Sequence, residues 1–247
     1  GAEFIHVESE HSALSCAMGA SAVGARAFTA TSSQGLLYMA ECLTYASGGR
    51  FPIVMMNANR STALPWNIYG DQRDSISQLD CGWIQAYAVD AQEALDLALM
   101  SYYIAEKKEV STPFMANLDG FVLTHTYEVV EVPTQEQADE FLPKFETENK
   151  LDLAHPRNLG FSAGPAHNTA FKYKEHIGLC VIFIFLDFYR IFAGKVLFKH
   201  TDQIFAGDAG NLTDNRLNIT GEHIDGGNNK HIVLSSVNMD SAMCSAA

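Results

Sequence analysis

Along the first 126 residues, short apolar, β-branched runs alternate with segments in which apolar positions recur at helical spacing. The runs predict strands at Phe4–Val7, Arg26–Thr29, Pro52–Asn57, Ile84–Ala88 and Thr112–Asn117. The periodic segments predict helices over Glu10–Val23, Gln34–Ser47 and Ala91–Glu106. The last is the clearest. Ala94, Leu95, Leu97, Ala98, Tyr102 and Ile104 supply its apolar face, and Gln92 and Glu93 stand in its first turn, where acidic groups suit the helix dipole. Strands that alternate with helices need crossover connections. The expected class is therefore α/β, a three-layer α/β/α fold whose mostly parallel sheet is covered on both faces.

The texture then changes twice. Residues 127–177 are charged and punctuated by proline, as in "EVPTQEQADEFLPKFE" and "LAHPRNLGFSAGPAH". They read as an extended arm or wrapping connector with a short helix near Gln135–Phe141. Residues 178–247 join a dense apolar run, "GLCVIFIFLDFYRIF", to a glycine- and asparagine-rich stretch, and form a tail without assignment. The domain reading is thus 1–126, 127–177 and 178–247.

Composition narrows the function classes. The 247 residues carry 16 Lys and Arg against 29 Asp and Glu, a formal charge of -13. Of these, 22 acids and 11 bases precede residue 178, so the acidity belongs to the first part. Summed repulsion opposes a general nucleic-acid or anionic-membrane binder but leaves a local basic pocket open. Five dispersed cysteines with no C-x-x-C pair suit reduced thiols and show no zinc or iron–sulfur ligand set. No basic-then-apolar signal segment opens the chain, and the run Gly178–Leu186 is too short for a membrane span. The expected location is the cytoplasm.

Four stretches carry candidate chemistry. "HVESEHSA" sets Glu8, Glu10 and His11 ahead of a run of very small residues; a surface turn explains it, and so does a carboxylate placed against a ligand. "GASAVGAR" lacks the Lys-Ser/Thr of a phosphate loop, and its Gly19, Ala20, Val23 and Gly24 suit close helix packing. "FTATSSQGLLYM" reads as strand, polar hinge and helix, with Thr31, Ser32 and Ser33 as capping residues or as ligand contacts beyond a strand end. A matching layout after Val7 places Glu10 and Thr31–Gln34 at one sheet edge. In "NANRSTALPWNIYGDQRD", Arg60 just past a strand suits bidentate binding of a carboxylate; the alternative is pairing with Asp71 or Asp74. Asp119 ends the next strand as a candidate or as a turn cap, and His125 reads as structural. "EHIDGGNNKH", residues 222–231, has no standard metal-ligand spacing.

Long stretches taken together go further. "VESEHSALSCAMGASAVGARAFTATSSQGLLYMAE", "RFPIVMMNANRSTALPWNIYGDQRDSISQLDCGWIQ", "QEALDLALMSYYIAEKKEVSTPFMANLDGFVLTHTYE" and "GPAHNTAFKYKEH" resemble the alpha subunits of pyruvate:ferredoxin oxidoreductases (pyruvate synthases). These are thiamine diphosphate-dependent members of the 2-oxoacid:acceptor oxidoreductase family. The resemblance covers about residues 1–177 and implies the pyrimidine-binding domain of such an enzyme. It implies that Glu10 hydrogen-bonds N1′ of the aminopyrimidine and favours the imino tautomer that takes the C2 proton of the thiazolium. It gives Arg60 the substrate carboxylate and makes Ser33 and Gln34 cofactor contacts. The implied reaction joins pyruvate and coenzyme A to give acetyl-coenzyme A and carbon dioxide, with electrons passed to ferredoxin. Beta-, gamma- and delta-type partner subunits would share the thiamine diphosphate and hold Mg²⁺ and the [4Fe–4S] clusters, and activity would depend on them. A branched-chain 2-oxoacid in place of pyruvate, or a truncated non-catalytic interaction subunit, are the alternatives. Two departures stand out: the family's "YPITP"-like motif precedes the point where this chain begins, and residues 178–247 match none of its second domain.

Overall fold

The computed structural model describes residues 2–159, 162, 164–165 and 167–179. The tail from residue 180 onward, with the histidine-containing stretch 222–231, lies outside the described residues. In chain order the elements are α1 (Glu10–Ala22), β1 (Phe28–Thr31), α2 (Gln34–Tyr38), α3 (Ala40–Gly48), β2 (Val54–Asn59), α4 (Arg73–Ile76), β3 (Ile84–Ala88), α5 (Ala91–Ala105), β4 (Phe114–Asp119), α6 (Val122–His125) and α7 (Gln135–Phe141).

The four strands form one parallel sheet in the order β1-β2-β4-β3. Side chains leave a strand alternately to its two faces, and the sequence uses both. Met55 and Met115, paired in register, join Trp83, Leu14, Leu36, Met39 and Leu43 in the core under α1, α2 and α3. Ile84, Ala86, Phe114 and Ala116 meet Leu97, Met100 and Ile104 of α5 on the opposite face. Each such large apolar side chain contributes roughly 1.5–3 kcal/mol on leaving water. Trp83, fully buried, also satisfies its ring N–H by donating to Leu43 O at 2.9 Å. The three-layer α/β/α arrangement follows.

Helix ends obey local chemistry. Ser9 and Asp90 cap α1 and α5 by accepting from Ser12 N at 3.2 Å and Glu93 N at 2.8 Å. α1 closes at Gly24, whose φ of +88 few other residues would adopt.

Three expectations are corrected. Phe4–Val7 is not a strand: it pairs with nothing among the described residues, and Phe4 and Ile5 stay 83% and 60% exposed. The long helix 34–47 is interrupted at Met39, while its apolar periodicity runs straight through the break. β1, β2 and β4 each start two residues late; at β2 and β4 the expected starts include Pro52 and Pro113, which have no N–H for the ladder. β2 and β4 also run on through the polar Asn59 and Asp119.

Beyond residue 126 the chain crosses the domain surface. Lys108 meets Glu148 at 2.9 Å, Asn149 Nδ2 donates to Gly49 O at 2.9 Å, and Leu151 N donates to Ala22 O at 2.7 Å. Residues 167–179 are helical, a helix inside the segment expected to be extended. It seats Glu175, 6% exposed, against Ser47, with Lys172 Nζ at 2.7 Å. Among the described residues, no helix is long and apolar enough to cross a membrane.

Candidate active site

The chain winds from β1 to β2 in one direction along the sheet and from β3 to β4 in the other, with the intervening helices on opposite faces. The two halves meet at β2 and β4. In open α/β sheets, the crevice beyond the carboxyl ends at such a switch point is where ligands bind. Arg60 follows β2 and Asp119 ends β4 at that place, and Thr31 ends β1 one strand away.

Arg60 is held rather than loose. Its Nε donates to Ser32 Oγ at 2.8 Å, its Nη1 to Gln34 Oε1 at 3.3 Å, and its guanidinium carbon lies 5.5 Å from the Trp66 ring centre. Among the described residues no carboxylate forms an ion pair with it. The alternative pairings are both taken. Asp71 binds Arg73 at 2.6 Å, and those bonds hold its carboxyl below the usual range. Asp74 is enclosed among N–H donors.

Ser33 sits at the start of α2 with φ of +51, unusual for a side chain-bearing residue. It does not cap the helix. It is fully buried, with Oγ 2.7 Å from Gln34 Oε1 and 3.1 Å from Ser61 O, and its N–H donates to Asp74 Oδ2 at 3.1 Å. Ser32 Oγ donates to Ala58 O at 2.7 Å while accepting from Arg60. The polar hinge therefore ties β1, β2 and Arg60 together.

Glu10 reaches the same edge from the first turn of α1. Its carboxyl is exposed, and its methylene packs over Gly35. A Cβ at position 35 would lie 2.7 Å from Glu10 Cγ, 3.0 Å from Glu10 Cδ and 2.6 Å from Thr31 Oγ1. The glycine that makes room beside Glu10 is thus Gly35, and not Gly19, which has nothing within 4 Å of an added Cβ. Thr31 Oγ1 is buried with no hydrogen-bond partner among the described residues.

So Glu10, Ser33, Gln34 and Arg60 come together, Glu10 to Gly35 and Gln34 to Arg60. The others do not join them. Ser12 donates to Glu8, which lowers its pKa; His11 faces Glu41 at 3.6 Å; His125 stacks on Phe121 at 5.1 Å. Asp119 packs against Gly70, and burial pushes its carboxyl up from the ordinary value. Sequence reasoning missed Gly35; it named Thr31 and Asp74 but not the orphaned hydroxyl of the one or the full burial of the other. A glycine on the apolar side of a predicted helix start was the one available signal. Among the described residues, no group of three or more His, Cys, Asp or Glu is placed to hold a metal ion.

Comparison with known proteins shows the family. The family described as pyruvate flavodoxin/ferredoxin oxidoreductase, thiamine diphosphate-binding, matches residues 1–179. The chain belongs to this family. It is 50% identical over 173 residues to pyruvate synthase subunit PorA of Methanothermobacter thermautotrophicus, covering 70% of this chain and 45% of that one. The PorA of Pyrococcus horikoshii is 55% identical over the same length, at 70% and 44% coverage. A ketoisovalerate oxidoreductase subunit VorA of Pyrococcus horikoshii is 50% identical, at 70% and 43% coverage. The chain spans less than half the length of these curated relatives. The solved 2-oxoglutarate:ferredoxin oxidoreductase of Magnetococcus marinus shares the fold, with a TM-score of 0.52 at 18% identity over 71% of this chain and 36% of that one.

The residues present fit the family's cofactor. An aminopyrimidine offers both ring nitrogens and an exocyclic amine, and this edge presents the acceptor carboxylate of the exposed Glu10, packed with the partnerless Thr31 hydroxyl over the buried Gly35. Gly35→Ala would fill that space and displace the Glu10 arm. The expected outcome is a drop of about fivefold to tenfold in thiamine diphosphate affinity of the assembled complex, as positioning effects predict. Titration calorimetry reads it, and unchanged affinity contradicts a role for the close packing of Glu10 on Gly35.

Proposed function

We propose that this chain supplies the aminopyrimidine-binding part of an alpha-type subunit of a 2-oxoacid:ferredoxin oxidoreductase acting on pyruvate. The overall reaction would convert pyruvate and coenzyme A to acetyl-coenzyme A and carbon dioxide and pass electrons to ferredoxin. The observation that carries this reading is that Glu10 packs on Gly35 while Arg60 bonds Ser32 and Gln34, so that both flank the first turn of α2 at the carboxyl edge of a parallel sheet.

When bound, thiamine diphosphate supplies the carbon nucleophile and electron sink that side chains lack. Glu10 accepts the hydrogen bond from N1′, which raises the basicity of the exocyclic nitrogen toward the C2 proton. Arg60 holds the 2-oxoacid carboxylate with the face of its guanidinium supported by Trp66 and its inner nitrogens fixed by Ser32 and Gln34. Gln34 lines the edge, and Ser33, being buried, contributes by setting the turn. Residues 1–126 form the cofactor-binding domain in this reading, and 127–177 the arm. By family resemblance, the diphosphate with its Mg²⁺ and the [4Fe–4S] clusters belong to beta-, gamma- and delta-type partners, and the assembly works in the cytoplasm.

The 50% identity to a ketoisovalerate oxidoreductase subunit keeps a branched-chain 2-oxoacid as a second reading, since Arg60 serves either acid. Co-expression with partner subunits, followed by anaerobic viologen reduction with pyruvate or 3-methyl-2-oxobutanoate, separates them. The expected result is a kcat/KM at least about tenfold higher for pyruvate, the discrimination that a few methylenes support. The reverse preference selects the branched-chain reading. No turnover of either acid sinks the enzyme reading and leaves an interaction subunit.

A further inference from the structure

Asp74 is fully buried in α4, a four-residue helix on the loop that follows Arg60. Its two carboxyl oxygens accept from four N–H groups: Ser33 N at 3.1 Å, Asn57 Nδ2 at 3.3 Å, Asn59 Nδ2 at 2.8 Å and Ser75 N at 2.8 Å. No cation lies within ion-pair distance among the described residues. Burying a carboxylate this way is costly unless every lone pair is used. A fold that needed only packing would place an apolar residue there.

What these four donors have in common is location. Asn57 and Asn59 are the last inward-facing residues of β2, and both also donate to Asn117 Oδ1 of β4, at 3.1 and 3.3 Å. Ser33 is the residue held at φ +51, a conformation that persists only where surrounding contacts enforce it. From Ser33 the connection continues through Gln34 Oε1 to Arg60 Nη1. Asp74 thus grips the end of β2 and the turn that fixes the arginine, and reaches β4 only through the two asparagines it holds.

We infer that Asp74 is a positioning residue for 2-oxoacid binding, acting through the Ser33–Gln34 turn on the Arg60 guanidinium. The inference rests on the 2-oxoacid reading above and goes beyond it by giving a role to a group that touches no ligand. An amide at position 74 keeps the shape but offers one acceptor oxygen where two are used, and turns an N–H toward donors. The turn relaxes, Arg60 loses its set, and the acid binds less well. Glu10 stands on α1, outside this hydrogen-bond chain, and meets the turn only by packing on Gly35, so the change falls on the acid more than on the cofactor.

The test uses the assembled complex with pyruvate as the probe. Asp74→Asn is expected to raise KM for pyruvate about tenfold, in line with the cost of misplacing a binding group, while half-saturation by thiamine diphosphate stays within about twofold. In an Arg60→Ala background the same substitution should change KM by less than about twofold, because coupled residues are non-additive. Asn59→Ala, which removes one donor only, is expected to shift KM in the same direction by less, and it serves if Asp74→Asn fails to assemble. Equal effects on KM and on thiamine diphosphate, equal effects with and without Arg60, or an unchanged KM overturn the inference. Failure of the underlying reading is visible separately, as absence of 2-oxoacid turnover in the unsubstituted complex.

Discussion

Glu10→Gln in the assembled complex is expected to lower pyruvate-dependent turnover by about 10² to 10⁴-fold, the range that a positioned acid–base group contributes. The substitution is close to isosteric. The amide still lies over Gly35, so the packing that Gly35 permits is kept and the helix start at Ser9 is undisturbed. What changes is charge at one place: a full carboxylate becomes a neutral carbonyl that holds a protonated ring nitrogen far less well. Because Arg60 is held by its own partners, KM for pyruvate should stay within about threefold. Stopped-flow viologen reduction measures both quantities. Full turnover in the glutamine variant would remove Glu10 from the mechanism.

Arg60→Ala should act differently, chiefly on binding. Losing one partner of a desolvated, hydrogen-bonded charge pair costs about 2–4 kcal/mol, a fall of about 30- to 1000-fold in kcat/KM. Arg60→Lys is expected to recover only part of this. A lysine ammonium restores the charge but not the planar fork that meets Ser32, Gln34 and the Trp66 face together. A lysine variant as good as the parent would mean that the site uses charge without geometry.

Much of the framework was legible because it is written in periodicity. Ile84–Ala88 and Gln135–Phe141 fall where the pattern placed them, and α5 ends one residue early. The pattern failed where partners rather than residues decide. Phe4–Val7 is an apolar run that pairs with no strand among the described residues, and prolines without an N–H stand at the expected starts of β2 and β4. At the site, composition left Glu8, Glu10 and His11 equivalent, and the family resemblance selected Glu10. The structure adds the physical reason: Glu10 is the one set over a glycine at the sheet edge, while Glu8 and His11 face Ser12 and Glu41. Arg60 could be named from its place after a strand, but its freedom depends on Asp71 being taken by the nearby Arg73 and Asp74 by tertiary contacts. Asp74 entered the sequence reading only as a possible partner for Arg60. "YGDQRD" reads as a polar loop, and only folding shows that one of its acids is sealed against the end of β2 and the Ser33 turn.

The central claim is that two groups from different elements divide the work at one edge, Glu10 toward the cofactor and Arg60 toward the acid. The most direct measurement is the hydrogen–deuterium exchange rate of the C2 proton of thiamine diphosphate in the assembled complex, followed by acid quench and NMR. The division predicts exchange slowed by at least about 10²-fold in Glu10→Gln and changed by less than about threefold in Arg60→Ala. Equal slowing in both variants, or none in Glu10→Gln, would contradict it.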